Sequence, residues 1–237
     1  MYNFYINNYI QLERLMNLFK KISLLLTMIG LSVILLSPQE KVKAFQPTIF
    51  SASNTENYKA SKPFTDVPFE STYYQSTHIL RDLSIINGYS NGSFQPQNSI
   101  TRRQAALLID RLDSKQYIDL PPVKEEVDFN DVNWQDEAYL GLNLLNQAGI
   151  FEVDKKGNIL PNANLTRGEM AKILVIAFNL DISNHKGSFK DVAGKAVEPY
   201  VETLVAYGIT TGYPDGSFKP QTSLSRAHYS EFIFRIL

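Results

Sequence analysis

The stretches Phe64-Thr-Asp-Val67, Phe129-Asn-Asp-Val132 and Phe189-Lys-Asp-Val192 carry one short pattern three times, at spacings of 65 and 60 residues. A second motif, which begins with a hydroxyl residue and an arginine, follows the aspartate of each stretch by 35, 35 and 34 residues. Its copies are Thr101-Arg-Arg-Gln104, Thr166-Arg-Gly-Glu169 and Ser225-Arg-Ala-His228. Two motifs that keep one distance in three copies indicate an internal repeat, in which each copy forms one structural unit.

A turn-rich segment separates the two motifs of each copy. Gly88-Tyr-Ser-Asn-Gly-Ser-Phe-Gln-Pro96 and Gly212-Tyr-Pro-Asp-Gly-Ser-Phe-Lys-Pro220 align without a gap, and Val153-Asp-Lys-Lys-Gly-Asn-Ile-Leu-Pro161 is a looser copy. These are turn sequences, because proline presets φ and glycine accepts positive φ. Apolar residues at helical spacing occupy residues 74–83, 138–148 and 201–207 before the turns, and residues 105–112, 170–178 and 229–237 after the second motif. Each copy therefore predicts a helix, a turn-rich loop and a second helix.

The motifs also divide the chain into units and connecting segments. We predict repeats at residues 64–112, 129–178 and 189–237, with linkers at 45–63, 113–128 and 179–188. A unit of about 50 residues buries too little surface to be stable alone. We therefore expect a mostly α-helical fold in which the three units pack about a pseudo-threefold axis.

Composition excludes several classes of protein. The 237 residues are 44% hydrophobic and 20% charged, which is enough apolar material for a core. A net charge of -1 provides no bulk attraction to nucleic acid or to an anionic membrane. The absence of cysteine excludes disulfides, thiolate metal sites and cysteine nucleophiles. The three histidines, His78, His185 and His228, have no partners at metal-ligand spacing, so we predict neither a metal site nor a cofactor.

The N-terminal segment has the pattern of a secretory signal. An uncharged stretch of 15 residues, 22–36, follows Lys20-Lys21 and precedes Val42-Lys-Ala44. We predict that residues 1–44 form a signal peptide, with Met16 as an alternative start, and that the chain is secreted without a stable membrane span after cleavage. An uncleaved anchor and a buried helix remain alternatives, although a spanning helix needs about 20 apolar residues. Cleavage after Ala44 leaves 18 basic and 22 acidic residues.

The second motif has two readings. A Thr or Ser followed three residues later by Glu or Gln is a capping box at the start of a helix. Capping does not explain the arginine at the second position of all three copies, because the positive end of the helix dipole disfavours a cation there by about 0.3–1 kcal/mol. Two alternatives remain open, a solvated arginine and an anion site made by the guanidinium beside free helix amides.

The Phe-x-Asp-Val motifs, the turn segments and the hydroxyl-arginine motifs together resemble the S-layer homology family. The hallmark of this family is a Thr-Arg-Ala-Glu-like tetrapeptide at the start of a helix. The resemblance covers residues 64–237. It implies three helix-loop-helix repeats in a three-pronged, pseudo-threefold assembly at the cell wall or surface layer. It further implies that grooves between repeats bind a secondary cell wall polysaccharide attached to peptidoglycan, often through a pyruvyl ketal on N-acetylmannosamine.

The resemblance also implies candidate binding residues. The motif arginines would pair with the ketal carboxylate, the hydroxyl residues would cap the helix and contact the ligand, and the glycines would allow the polymer to approach closely. For the aspartates we favour a local turn role over ligand contact. The candidates are Arg102, Arg167, Arg226, Thr101, Thr166, Ser225, Gln104, Glu169, Gly88, Gly212, Asp66, Asp131 and Asp191. Because Val153 replaces the glycine in the second repeat, we favour Arg102 and Arg226 over Arg167.

Aromatic residues near the starts of the first helices are a further set of candidates. Stacking on a sugar and packing in the core both remain open for them. They are Tyr73, Tyr74, Trp134, Tyr139 and Tyr200.

No hydrolase, zinc-protease, P-loop or dinucleotide-binding motif is present in the sequence. The leading prediction is a non-catalytic carbohydrate-binding module that anchors the protein to the bacterial cell wall. The alternative is a structural or assembly protein of the surface layer that acts through contacts with other proteins.

Overall fold

Six α-helices follow one another along the described chain. The computed structural model describes residues 58–120 and 122–237, and within these ranges it contains helices but no β-strand. The helices are α1 (Tyr74–Asp82), α2 (Arg102–Ser114), α3 (Tyr139–Gln147), α4 (Arg167–Ala177), α5 (Glu198–Ala206) and α6 (Arg226–Ile236). The predicted signal peptide and most of the first predicted linker lie outside the described residues. The prediction of a mostly α fold with two helices in each repeat is confirmed.

The second helix of each repeat begins where the capping motif predicts. The N-caps of α2, α4 and α6 are Thr101, Thr166 and Ser225, and each side-chain oxygen accepts a hydrogen bond from the backbone N–H of the third helical residue. In α2 and α4 the side chain of that third residue also accepts from the backbone of the N-cap residue, which completes the capping box. Helix α5 begins at Glu198, three residues before the predicted start, with a proline in its first turn.

The helices pair across repeats. Helix α2 packs against α3, α4 packs against α5, and α6 packs against α1. In the first pair Gly141 permits a close approach, because a Cβ there would overlap the backbone of Ala106. Since α1 and α6 belong to the first and third repeats, the third pair closes a ring. The three-pronged, pseudo-threefold arrangement is confirmed, and each prong contains one helix from each of two repeats.

A triangle of backbone hydrogen bonds lies at the centre of the ring. The N–H of Ile100 donates to the carbonyl of Leu224 at 2.9 Å, Leu224 donates to Leu165 at 2.8 Å, and Leu165 donates to Ile100 at 2.8 Å. All three residues are buried. Because every repeat both donates and accepts, the centre is complete only when all three repeats are present.

Each motif aspartate holds a turn with positive φ. The carboxylate of Asp66 accepts from the N–H groups of Phe94 and Gln95, both at 2.7 Å, and Asp131 and Asp191 make the equivalent pairs of bonds. The second donor of each pair has a φ of 57 or 58° and precedes a proline, a conformation that is unfavourable for a residue with a side chain. The donors in this conformation are Gln95, Leu160 and Lys219. The preferred turn role of these aspartates therefore has a structural basis, since the charge-assisted bonds stabilise the strained turn.

The core is a single apolar cluster that takes residues from all three repeats. It also includes residues of the predicted linkers, because Ile118, Leu120 and Leu180 are buried in it. Among the described residues, no helix has the length and apolar character needed to cross a bilayer.

Candidate functional site

Each motif arginine reaches into the turn of the next repeat. Nη1 of Arg102 donates to the carbonyl of Ile159 at 2.9 Å, Nε of Arg167 donates to Phe218 at 2.9 Å, and Nε of Arg226 donates to Phe94 at 2.8 Å. The arginine of the last repeat thus contacts the turn of the first. The looser turn of the second repeat, which carries Val153, therefore lies beside Arg102, although the sequence analysis had counted it against Arg167. We name the three grooves after their arginines, the Arg102, Arg167 and Arg226 grooves.

The helix amides beside the arginines are not available to a ligand. The first and second N–H groups of α4 donate to the carbonyls of Thr222 and Pro220, at 3.0 and 2.9 Å. Helices α2 and α6 make the equivalent pairs of bonds to the second and first repeats, and the third N–H of each helix goes to the capping hydroxyl. The expectation of free amides is therefore wrong, which leaves the side chains as the groups that could contact a ligand in these grooves.

The Arg226 groove is a cavity of about 170 Å³ between the third and first repeats. The Arg226 side chain is buried, at 9% exposure, and its guanidinium lies 4.5 Å from the ring centre of Phe94 and 5.1 Å from that of Tyr89. Nη2 donates to the carbonyl of Asn87 at 3.0 Å. Gln104 also lines the cavity, and its uncharged side chain does not neutralise the arginine.

The Arg167 groove is a cavity of about 240 Å³ between the second and third repeats. The guanidinium of Arg167 lies 4.7 Å from the ring centres of both Tyr213 and Phe218, and the residue is 6% exposed. Its Nε donates to Phe218, and the other four N–H groups have no hydrogen-bond partner among the described residues. A guanidinium with unpaired donors at a cavity wall has the geometry that suits a carboxylate.

The Arg102 groove differs from the other two. Oε1 of Glu169 accepts from Nε of Arg102 at 3.0 Å and from Nη2 at 2.5 Å, and these side chains are 20% and 17% exposed. Oε2 of the same carboxylate accepts from the N–H of Thr166 at 2.9 Å. The protein itself therefore supplies the anion here. Arg102 and Glu169 also line a cavity of about 520 Å³, together with Tyr200.

A second arginine lines each of the two open grooves. Arg111 lies in the Arg226 groove and donates from Nη1 to the carbonyl of Ile85 at 3.3 Å. Arg235 lies in the Arg167 groove and donates from Nη1 to Ile209 at 3.0 Å. Sequence reasoning missed both, although each lies ten residues after the motif hydroxyl residue, where the second repeat has Ile176.

Burial changes the pKa values of the groove residues. Desolvation lowers the pKa of Arg167 and of Arg226 from the ordinary arginine value, while Tyr213 and Asp191 counteract it at Arg167, and Tyr89 and Asp66 do so at Arg226. A bound anion would restore part of the lost solvation. The desolvation of both guanidinium groups therefore favours an anionic group beside Arg167 and beside Arg226.

The candidate glycines have a packing reason to be glycine. A Cβ on Gly88 would overlap the ring of Phe64 and lie 2.7 Å from the carbonyl oxygen of Ser93. Gly212 has a φ of +72°, and a Cβ there would overlap the ring of Phe189. Both glycines also line the open grooves, so close approach of a polymer stays a prediction.

The predicted aromatic candidates are dispersed. Tyr74 is buried against His78, Trp134 is 69% exposed, and Tyr200 lines the cavity beside Arg102. Tyr89 and Tyr213, each directly after a candidate glycine, line the Arg226 and Arg167 grooves beside the arginines, and neither was among the predicted aromatic candidates. The Gly-Tyr pair at the start of both turns was the sequence signal for them.

Comparison with known proteins gives three matches to one family model and several related chains. The model of the S-layer homology domain matches residues 63–106, 129–171 and 188–230. The cellulosome-anchoring protein of Acetivibrio thermocellus is 29% identical over 78% of this chain and 41% of its own length. Cell surface glycoprotein 1 of the same organism is 30% identical over 64% of this chain and 7% of its own length. The S-layer protein EA1 of Bacillus anthracis is 30% identical over 73% of this chain and 20% of its own length.

The chain spans less than half the length of each of these relatives. The family matches cover more than half of the chain and coincide with the three structural repeats. The family and these relatives indicate a cell-surface location. The chain belongs to the S-layer homology domain family and carries three copies of the domain.

Proposed function

We propose that this chain is a non-catalytic module that holds the protein on the bacterial cell wall by binding a secondary cell wall polysaccharide in the grooves between its repeats. The observation that carries the proposal is the Arg167 groove, where the buried Arg167 lines a cavity and, among the described residues, has a hydrogen-bond partner at Nε alone. Family membership and the likeness to a cellulosome-anchoring protein support an anchoring role.

The ligand group is an anion carried on a sugar, and a pyruvyl ketal is the form that the family resemblance implies. A carboxylate on a ketal ring is rigid and planar, which suits the fork of a guanidinium. Tyr89 and Tyr213 lie beside the arginines and provide ring faces for a sugar. The Arg167 and Arg226 grooves are the principal binding grooves in this proposal, because their arginines have no carboxylate partner among the described residues, whereas Arg102 is paired with Glu169.

The test is a calorimetric titration of the chain with a methyl glycoside of N-acetylmannosamine that carries a 4,6-pyruvyl ketal. The same glycoside without the ketal is the control. We expect saturable binding of the ketal and at least tenfold weaker binding of the control. Equal affinity for the two compounds would contradict recognition through the carboxylate.

A surface-layer assembly role is the second candidate, and it is favoured by exposed apolar side chains. Trp134 is 69% exposed and Leu140 is 66% exposed, near the start of α3. Such residues are typical of contacts between proteins. Sedimentation velocity over a range of concentrations tests this role. Self-association that is lost in Trp134→Ala would favour assembly, whereas a monomer at all concentrations would count against it.

Removal of residues 1–44 as a signal peptide stays a proposal as well. The mass of the chain recovered from the culture medium or the cell surface tests it. We expect a mature chain that begins at Phe45, and a chain that retains residues 22–36 would contradict cleavage.

A further inference from the structure

A short segment before the first motif lies along α1. We call this segment, residues 58–63, the strap. The hydroxyl of Tyr58 donates to the carboxylate of Asp82 at the end of α1, and the N–H of Ala60 donates to the hydroxyl of Tyr74 at 3.1 Å. The strap was predicted as part of a linker, but these bonds make it part of the folded first repeat.

His78 of α1 is buried and holds Phe64, the residue that follows the strap. The backbone N–H of Phe64 donates to Nε2 of His78 at 2.8 Å. Nδ1 of the same ring lies 2.7 Å from the carbonyl oxygen of Tyr74. Because a carbonyl only accepts, Nδ1 carries a proton, and because a backbone N–H only donates, Nε2 carries none. The two bonds together require a neutral imidazole.

A second proton on the ring breaks this arrangement. Protonation of Nε2 removes the acceptor of Phe64 and places one N–H group against another. It also puts a positive charge on a ring that is 0% exposed and packed between the rings of Phe64 and Tyr74. Both effects disfavour the contact between α1 and Phe64.

The charged residues that act on the imidazole are Arg81 and Asp82 of α1. Burial lowers the pKa of His78 below its ordinary value of 6.5, the bond to Tyr74 raises it, Arg81 lowers it and Asp82 raises it. On the strap, Tyr58 binds Asp82, and the other charged residues are Lys59 and Lys62. Helix α6 packs against α1, and its charged and titratable residues line the Arg226 or the Arg167 groove. They are Arg226, His228, Tyr229, Glu231 and Arg235.

We propose that His78 is a pH-dependent latch, which holds Phe64 and the strap on α1 when the imidazole is neutral and releases them when it is protonated. This proposal does not depend on the proposed function. The released imidazole takes up a proton near pH 6.5, and the bound imidazole does so only at lower pH. The latch therefore contributes stability above pH 6.5, and this contribution is lost as the pH falls through the pKa of the bound imidazole.

The latch belongs to the first repeat. The residue 14 positions after the motif phenylalanine is His78 in the first repeat, Asn143 in the second and Thr203 in the third. Asparagine and threonine side chains take up no proton in this pH range. The second repeat therefore provides an internal reference, the N–H of Asn130, which donates to the carbonyl of Gly157 at 3.0 Å.

The experiment is hydrogen exchange of the full chain, followed by NMR at pH 5.0 and pH 7.5 and corrected for intrinsic exchange rates. Relative to Asn130, the N–H of Phe64 should be protected about tenfold less at pH 5.0 than at pH 7.5. His78→Gln should remove this difference, because glutamine offers an oxygen acceptor and takes up no proton. His185→Gln is the matched control, since this histidine is exposed, and it should keep the difference.

The position of the imidazole proton provides a second test, which needs the wild type alone. A heteronuclear NMR spectrum at pH 7.5 should show the proton of His78 on Nδ1, and a proton on Nε2 would overturn the proposal. Equal relative protection of Phe64 at the two pH values in the wild type would also overturn it. A difference that persists in His78→Gln would assign the pH dependence to another group.

Discussion

The motif arginines have a structural role that the two sequence alternatives did not include. Arg167 and Arg226 are neither solvated nor placed beside free amides, because they are buried against aromatic rings and bonded to carbonyls of the next repeat. This placement explains why the first position of a helix tolerates a cation three times. The stacking and the carbonyl bonds offset the unfavourable helix dipole.

Replacing these arginines by lysine separates the contribution of the planar guanidinium to ligand binding from the contribution of its positive charge. Lysine keeps a positive charge but lacks the planar fork, so we expect Arg167→Lys and Arg226→Lys to bind the ketal glycoside at least tenfold more weakly, which is about 1.4 kcal/mol. Arg102→Lys is the matched control, because its groove is occupied by Glu169, and it should change affinity less than twofold. Calorimetry measures the affinities, and thermal unfolding checks that each variant folds. An equal loss in all three variants would contradict the assignment of the grooves.

The turn aspartates can be tested through pH. Burial raises the pKa of Asp191, but the hydrogen bonds from the N–H groups of Phe218 and Lys219 outweigh it, so the pKa lies below the ordinary value of 3.8. Because the pKa of Asp191 is lower in the folded than in the unfolded state, its ionised carboxylate stabilises the fold at pH values above the unfolded-state pKa. This stabilisation is lost as the pH falls below about 3.8 and through the folded-state pKa. We expect Asp191→Asn to lower the free energy of unfolding by about 1–3 kcal/mol at pH 7, with a smaller difference below pH 4.

Urea unfolding at pH 3 and pH 7 measures this effect. The exposed Asp181→Asn is the control and should stay within about 0.5 kcal/mol of the wild type at both values. A difference for Asp191→Asn that is equal at pH 3 and pH 7 would show that the carboxylate charge has no part in holding the turn.

At the residue scale, the sequence identified the residues with structural roles, but it did not identify their contact partners. The hydroxyl caps, the aspartates and the arginines were all identifiable from their repetition. The partner of each arginine was not, because Phe94 is 132 residues from Arg226 and no local pattern records a contact over that separation. Arg111 and Arg235 were missed because they lie outside the tetrapeptide motif.

At the scale of the helices, local signals predicted the elements and long-range packing paired them. The caps fixed the starts of α2, α4 and α6 to the residue. The pairing of helices from different repeats could not be read from the period of apolar residues, which only identifies a buried face. The one local signal of a close helix contact was Gly141 in the first turn of α3, since glycine is a poorer helix former than alanine.

The contact between α2 and α3 makes Gly141 intolerant of a side chain. A Cβ at Gly141 would overlap the carbonyl group of Ala106, which belongs to the backbone and cannot turn aside. We expect Gly141→Ala to destabilise the protein by about 1–3 kcal/mol, although alanine is the better helix former. Leu140→Ala is the matched control, since this neighbour is exposed and should change stability by less than about 0.5 kcal/mol. Chemical denaturation measures both variants, and a stabilised Gly141→Ala would contradict the close packing.

At the scale of the whole molecule, the three repeats form one closed ring. The hydrogen-bond triangle of Ile100, Leu165 and Leu224 needs all three repeats, and α6 of the last repeat packs on α1 of the first. The sequence predicted the symmetry from the spacing of the motifs. It did not predict that each prong is shared between repeats, because repetition in the sequence does not show which neighbour a helix packs against.

Removal of α6 should therefore unfold more than its own repeat. The helix buries Ala227, Tyr229, Phe232 and Ile233, and each of the three large side chains contributes about 1.5–3 kcal/mol, which together approaches the whole stability of a typical domain. We expect a chain that ends at Ser225 to lose its cooperative thermal transition, including the signal from α1. Deletion of Leu237 alone is the control and should leave one transition. A truncated chain in which α1 and α2 keep their protection from hydrogen exchange would contradict the ring.

The net charge of the molecule is compatible with the proposed function. A net charge of -1 provides no general attraction to an anionic polymer, whereas the proposal assigns the selection of a single anionic group to the buried arginines between repeats. Under this proposal, binding requires all three repeats to be assembled.

The central claim is that these grooves hold the chain on a wall polymer, and co-sedimentation with bacterial sacculi tests it most directly. Sacculi that retain their secondary polysaccharide are compared with sacculi from which acid has stripped it. The account predicts that the chain sediments with the first and stays in the supernatant with the second. Equal sedimentation with both preparations, or with neither, would contradict it.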